Sequence, residues 1–200
     1  MCNLYRPRET ADEIMRVFRD LLSDGTGNAP WPELAYPNRL APIIRHGEGG
    51  LEIAQAKWGM PTPPQYLKTQ RDPGVTNVRN TRSPHWRRWL GPESRCLVPL
   101  TAFNEGKWLE PVDPDLVMFF AGVETREWRS VRKVADGETV DDLFAFLTTT
   151  PSAEVAAIHE KAMPVILTTP EEWTAWMTAE WAEAGKLQRP LPDGTLKIIE

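Results

Sequence analysis

The residue with the most unusual chemical capacity in this sequence is the second. A small residue after an initiator methionine normally permits removal of that methionine, which would leave Cys2 at the N-terminus. Such a cysteine carries two nucleophiles on adjacent carbons, an α-amine with a pKa of about 7.7–8.0 and a thiol near ~8.5. Both are partly in reactive form at neutral pH. A 1,2-aminothiol can take an aldehyde as a Schiff base and close it to a thiazolidine ring, which neither group alone would hold as firmly. An isolated Cys2 is otherwise unremarkable, so the rest of the chain must supply the context.

Other familiar chemistries fail on spacing. No glycine-rich phosphate loop of either nucleotide-binding pattern is present, and no serine lies in a G-x-S-x-G elbow. His159-Glu160 opens like a zinc-protease helix, but Met163 stands where the second histidine is needed. The three histidines and two cysteines form no cluster with metal-ligand spacing, so neither a metal nor a cofactor is implied. Cysteines at 2 and 96 are too few for a disulfide framework, and the natural compartment is a reducing cytoplasm. The first six residues lack the apolar stretch of a secretory signal. Apolar runs such as 116–123 fall far short of the ~20 residues of a membrane span.

Charge is divided unevenly. Residues 1–100 hold 14 Lys/Arg against 10 Asp/Glu, whereas residues 101–200 hold 9 against 18. The net charge of −5 therefore hides a positive half. Between Thr76 and Pro92 stand Arg79, Arg82, Arg87 and Arg88 with His85, Trp86 and Trp89 and no acid. Guanidinium groups among flat rings suit a single nucleic-acid strand, through phosphate pairing and base stacking. A solvated basic loop accounts for the same stretch equally well.

The elements that must position these groups are short. Thr10-Ala-Asp-Glu13 reads as a capping box opening a helix, with Ile14, Val17, Phe18, Leu21 and Leu22 at helical spacing until Ser23-Asp24-Gly25. Residues 26–50, with four prolines, read as loop. Strands are expected at 51–58, 96–103, 116–124, 143–149 and 165–168. Thr169-Pro170-Glu171-Glu172 is a second capping box. The helix it opens carries Trp173, Trp176, Met177, Trp181 and Ala184 toward the core and runs to Gly185. The expected fold is α+β, one domain over residues 1–200 of short, mostly antiparallel strands with a few flanking helices. Its core covers about 1–184, with a C-terminal tail at 185–200.

An ordered set of motifs completes the reading. Met1-Cys2 is followed by Trp58-Gly59-Met60, Asn77-Val78-Arg79, the stretch Arg95–Pro99 before Phe103-Asn104-Glu105, and Ile158-His159 before Met163-Pro164. Each motif is weak alone, but the series resembles the SOS response-associated peptidase (SRAP) family over nearly the whole chain. That resemblance implies a protein that crosslinks its N-terminal cysteine to abasic sites in single-stranded DNA, shielding them from strand cleavage. The word "peptidase" would refer to removal of the initiator methionine.

The resemblance also implies roles. Cys2 falls on the crosslinking nucleophile and Asn77 on the residue that positions the N-terminus and opened sugar. Glu105 falls on the acid beside the cysteine amine, and His159 on the histidine working at the sugar oxygen. Arg79 falls on a phosphate ligand. Arg82, Arg87 and Arg88 join the expected DNA-binding set by charge and proximity, with Trp58, Trp108 and Lys161 alongside. Departures fall at the DNA-facing positions. The family's acid after Asn-Ala-Arg is missing between Arg79 and Thr81, and Gly106 replaces a tryptophan, with Trp108 two places on. Lys161 replaces an arginine, Ala162 lengthens the approach to Met163, and Leu4 stands where many members carry arginine. Two other functions fit the residues: an N-terminal-nucleophile peptidase or amidohydrolase acting on a small amide, and a non-covalent single-strand binder with an inert Cys2.

Overall fold

Alternation with a period of two organises the core. At Ile43 and Ile44, Phe119 and Phe120, and Leu143 and Phe144, consecutive side chains point to opposite faces of a sheet, and both are buried, one in each of two hydrophobic clusters. A strand covered on both faces reads in sequence as an unbroken apolar run.

The computed structural model describes residues 2–8, 11–18, 22–24 and 31–199. The Thr10 capping box, Leu21 and Met1 lie outside the described residues. In chain order the elements are β1 (Leu4–Arg6), α1 (Ala11–Val17), β2 (Leu22–Asp24), β3 (Leu40–Gly47), β4 (Gly50–Trp58), β5 (Asn77–Val78), β6 (Arg95–Leu100), β7 (Ala102–Asn104) and β8 (Trp108–Pro111). They continue with β9 (Met118–Lys133), β10 (Gly137–Thr149), α2 (Ala153–Ala156), β11 (Met163–Pro164), β12 (Ile166–Leu167), α3 (Pro170–Thr178), α4 (Trp181–Ala184) and β13 (Leu196–Ile199).

Strands β10, β4, β3, β6 and β9 pair in that order, and β9 pairs back to β10, so the ring closes into a small barrel. Only the β4–β10 contact in the ring is parallel. A second, antiparallel sheet runs β1-β7-β8-β13. Between the two sheets Tyr5 sets its ring edge-on to Trp58, Phe120 and Phe146, at centroid distances of 5.3, 5.4 and 6.2 Å. Each such side chain, fully buried, contributes about 1.5–3 kcal/mol. The opposite face carries Ile44, Phe119 and Leu97 beneath Ile14 and Phe18 and under Trp173 and Trp176 of α3. This is the single α+β domain that the sequence predicts.

Four expectations need correction. Leu40–Gly47, within the expected loop, is a barrel strand; β6 reaches β3 only at Ile44, leaving the strand around Pro42 tolerant of a missing N–H. The first helix ends at Val17, and Leu22–Asp24 is a strand parallel to β4. The second capping box is present, with Thr169 accepting from the Glu172 N–H and the Glu172 carboxylate from the Thr169 N–H. Its helix stops at Thr178, where Ala179 turns extended (φ −75°, ψ 154°), and Trp181 opens a separate turn. Residues 185–200 are no tail: Leu191 and Leu196 are core, and β13 pairs with β8. No helix among the described residues is long and apolar enough to cross a membrane.

Candidate functional site

Strand register places Cys2 beside Glu105. In the β1–β7 pair Leu4 lies opposite Asn104, so the chain preceding β1 runs past the turn that follows β7. That turn is built on Gly106, whose φ of +95° a side-chain-bearing residue adopts only with strain; Asn104 Oδ1 accepts from its N–H at 2.9 Å. A tryptophan at 106 would be strained, so the ring of this region comes instead from Trp108 on β8, half-buried with the Arg6 guanidinium 5.2 Å from its centroid.

Cys2 is fully buried, with Sγ 3.4 Å from the Leu4 carbonyl to which it donates. Burial, and then the neighbouring Glu105 charge, push its thiol up to about 12. Asn77, at the start of β5, is carried on β10 by parallel pairing with Phe146. It donates from Nδ2 to the Cys2 carbonyl at 3.0 Å and to Thr76 Oγ1 at 2.8 Å. This places Asn77 as a clamp on the N-terminal segment.

Glu105 is 5% exposed. Burial raises its carboxyl above the usual carboxylate range, against the lowering pull of nearby positive charge, His159 included. His159 follows α2, its N–H bonded to the Val155 carbonyl at 2.7 Å. Its ring nitrogen Nδ1 lies 2.9 Å from the Ala162 carbonyl and 3.8 Å from Glu105 Oε2. A carbonyl only accepts, so Nδ1 carries a proton and the neutral ring has its acceptor at Nε2. Ala162 thus fixes the tautomer. Cys2, Asn77, Glu105 and His159 therefore form one connected group, with an acid and an imidazole side by side at Cys2. Among the described residues no group of three or more His, Cys, Asp or Glu is arranged to hold a metal.

The family model described as SOS response associated peptidase (SRAP) matches residues 1–200. The chain belongs to the SRAP family. A solved protein from Bordetella bronchiseptica is 21% identical with a TM-score of 0.73, covering all of both chains. One from Bacteroides thetaiotaomicron is 18% identical with a TM-score of 0.71, over all of this chain and 92% of the other. A phage-related protein from Bordetella bronchiseptica is 17% identical with a TM-score of 0.66, over 99% and 93% of the two chains. At such identities the likeness is one of fold. The search of curated proteins gave no match.

The positions expected to touch DNA in this SRAP chain divide. Arg79, Arg82, Arg87, Arg88 and Lys161 are exposed. Arg79 Nη1 donates to the Thr149 carbonyl. Arg82 and Arg87 line a cavity of about 510 Å³ with Trp181. Arg88 stacks on Trp89, its guanidinium 4.1 Å from the ring centroid. Trp58 is a correction: it is fully buried, its Nε1 donates to the Thr76 carbonyl at 3.0 Å, and its ring packs on Phe146 at 5.1 Å. No surface of it is left to meet a base. Trp86 and Trp89 are likewise buried, 6% and 4% exposed, so the basic stretch presents arginines without stacking platforms. Sequence reasoning missed Gln188. Its amide donates to the Arg79 and Thr148 carbonyls at 2.9 and 3.0 Å and accepts from Thr81 Oγ1 at 3.1 Å, tying β5 and its extension to β10. Nothing in its local sequence marks that role.

Proposed function

We propose that this SRAP protein, once Met1 is removed, captures the aldehyde of an abasic site in single-stranded DNA as a thiazolidine on Cys2. One observation carries the reading: Cys2, held through its carbonyl by Asn77 at 3.0 Å, lies close enough to Glu105 for that charge to act on its thiol, and Glu105 Oε2 lies 3.8 Å from His159 Nδ1. Removal of Met1 converts the Cys2 nitrogen into the α-amine and leaves it beside an acid–base group. The same placement suits the removal itself, since hydrolysis of the Met1–Cys2 bond adds water to the carbonyl and a proton to the departing nitrogen.

The order of steps follows from the pKa directions. A thiol near 12 is neutral at physiological pH, so the amine attacks first. Glu105 takes its excess proton, then returns one to the carbinolamine hydroxyl as water leaves and the C=N bond forms. A carboxyl raised by burial suits this exchange better than an ordinary glutamate would. Sγ then adds to the imine carbon, the thiol proton passes to nitrogen, and the ring closes. His159 serves the sugar: acting as an acid, it gives a proton from Nε2 to the ring oxygen as the bond from that oxygen to C1 breaks, while the C1 hydroxyl loses its proton to water, so that the closed sugar opens to the aldehyde. Asn77 holds the N-terminal segment by its carbonyl throughout. The exposed Arg79, Arg82, Arg87, Arg88 and Lys161 supply phosphate contacts, with Trp108 at the margin.

A hydrolase using a Cys2 thiolate is less well served, because burial and Glu105 both oppose the thiolate. The test is reductive trapping. Wild type mixed with abasic single-stranded DNA should give a heat-stable adduct without reductant. Cys2→Ala, which keeps an α-amine, should give one only with borohydride. A heat-stable adduct from Cys2→Ala without reductant would assign the chemistry to another nucleophile.

A further inference from the structure

A second basic cavity, of about 1020 Å³, opens at the end of the β9–β10 hairpin, and its wall includes none of Cys2, Asn77, Glu105 or His159. Arg39, Lys57, Arg71, Arg132 and Lys133 line it, against a single acid, Asp136. Two of these cations are already engaged: Lys57 pairs with Asp141 at 2.7 Å and Lys133 with Asp136 at 3.5 Å. Arg132 is paired more loosely. Its side chain is only 5% exposed, and among the described residues Nη1 and Nη2 have no hydrogen-bond partner. Nε is held by Ser130 Oγ at 3.0 Å. The nearest carboxylate, Asp72, stands 3.8 Å from Nη1 and spends its oxygens on the Thr62 N–H, the Thr62 hydroxyl and the Gly74 N–H.

The backbone makes room for this guanidinium. A Cβ on Gly74 would lie 2.5 Å from Arg132 Nη1. These terminal nitrogens have almost no accessible surface, so Arg132 acts on the cavity as a buried positive charge behind its wall. Arg71 reaches across by donating from Nε to the Arg132 carbonyl at 3.2 Å, and Arg39 is exposed at the rim. The wall also offers Trp31, Pro32 and Pro37, flat apolar surface of the kind a base or sugar packs on. The volume exceeds what a lone phosphate fills and matches a nucleotide-sized ligand.

We propose that this cavity is a second site for a nucleotide phosphate, held by the exposed Arg71 and Arg39 over the buried charge of Arg132, its base against the Trp31 wall. The chemistry is common to a free mononucleotide and to one unit of a nucleic-acid strand. A strand could reach it from the Cys2 cluster: Lys57 on its rim pairs with Leu143, three positions along β10 from the Phe146 that carries Asn77, or ~10 Å. The site does not depend on aldehyde capture, because no aldehyde takes part.

The test is calorimetric titration of the full chain at low salt with thymidine 5′-monophosphate, inorganic phosphate, and an intact oligothymidylate of about ten nucleotides. Binding of the mononucleotide should weaken about tenfold or more in Arg39→Glu/Arg71→Glu, with the loss of charge-assisted contacts, and severalfold in Arg132→Gln, which removes the buried charge behind them. The exposed double variant guards against misfolding of the buried one, and an unchanged thermal melt certifies it. Binding of the oligonucleotide but not the mononucleotide, lost in the double variant, would assign the site to a strand. Three results would overturn the proposal: affinities unchanged in both variants, equal affinity for inorganic phosphate and the mononucleotide, or binding that falls with Arg79→Ala alone. Because no probe carries an aldehyde, failure here leaves crosslinking by Cys2 untouched, and failure of crosslinking leaves this result standing.

Discussion

The Cys2 thiol should resist alkylation in the folded protein far more than a place near the chain end implies. It is fully buried, and burial with the Glu105 charge pushes it up to about 12. At about pH 8 an ordinary cysteine of pKa ~8.5 is roughly one-quarter thiolate. A thiol near 12 is thiolate in about one molecule in 10⁴, a deficit of ~2,000-fold. The more basic thiolate is intrinsically more nucleophilic, and a Brønsted slope of ~0.4–0.5 returns a factor of roughly 25–55. Native Cys2 should therefore react ~40–100-fold more slowly than a free cysteine, before exclusion of the reagent by burial adds to the effect. The assay is iodoacetamide labelling read peptide by peptide in a mass spectrometer, with and without urea. Cys96 is an internal control, since it too is buried, and its thiol is raised by burial and by Glu124. Glu105→Gln should accelerate Cys2 and leave Cys96 unchanged. Native Cys2 labelling at the rate of a free cysteine, or equal responses of both thiols to Glu105→Gln, would refute the reasoning.

Glu105→Gln and His159→Ala should each slow crosslinking, by ~10²-fold where one general acid–base step is lost, with single-strand affinity nearly intact in a filter-binding or anisotropy assay. Arg79→Ala should flatten the log–log salt dependence of single-strand binding by ~0.7, the share of one phosphate contact, without abolishing chemistry on saturating DNA. Trp58→Ala should cost ~3–5 kcal/mol in urea unfolding, as a core ring does; a loss below ~1 kcal/mol would return Trp58 to the surface role that its burial denies.

Where residues carry strong local signals, the sequence was legible. Alternation located β4, and apolar runs located β6, β12 and the inner half of β10, to within a few residues, because strands buried on both faces leave no polar interruption. The site group was legible only through the ordered motifs: Cys2, Asn77, Glu105 and His159 are far apart in the chain and meet through strand pairing that no local pattern records. The β3 strand was hidden by Pro42. The outer halves of β9 and β10 were hidden because residues 124–133 are mostly charged or polar on a solvent-facing hairpin. There a bulge steps from Trp128 to Thr125 opposite Asp141 and Leu143, with Glu127 at φ +48°. Trp58 misled because a tryptophan in a family motif says nothing about which face of its strand it occupies. Gln188 was invisible, since its value lies wholly in three backbone and side-chain partners on distant segments.

The most direct test of the central claim is the intact mass of the purified protein before and after mixing with a single-stranded oligonucleotide carrying one abasic site. The protein alone should weigh the chain less its initiator methionine. The product should weigh protein plus oligonucleotide less one water, and it should survive heating without reductant. Active protein that retains Met1, or a mixture in which no covalent product forms, would contradict the account.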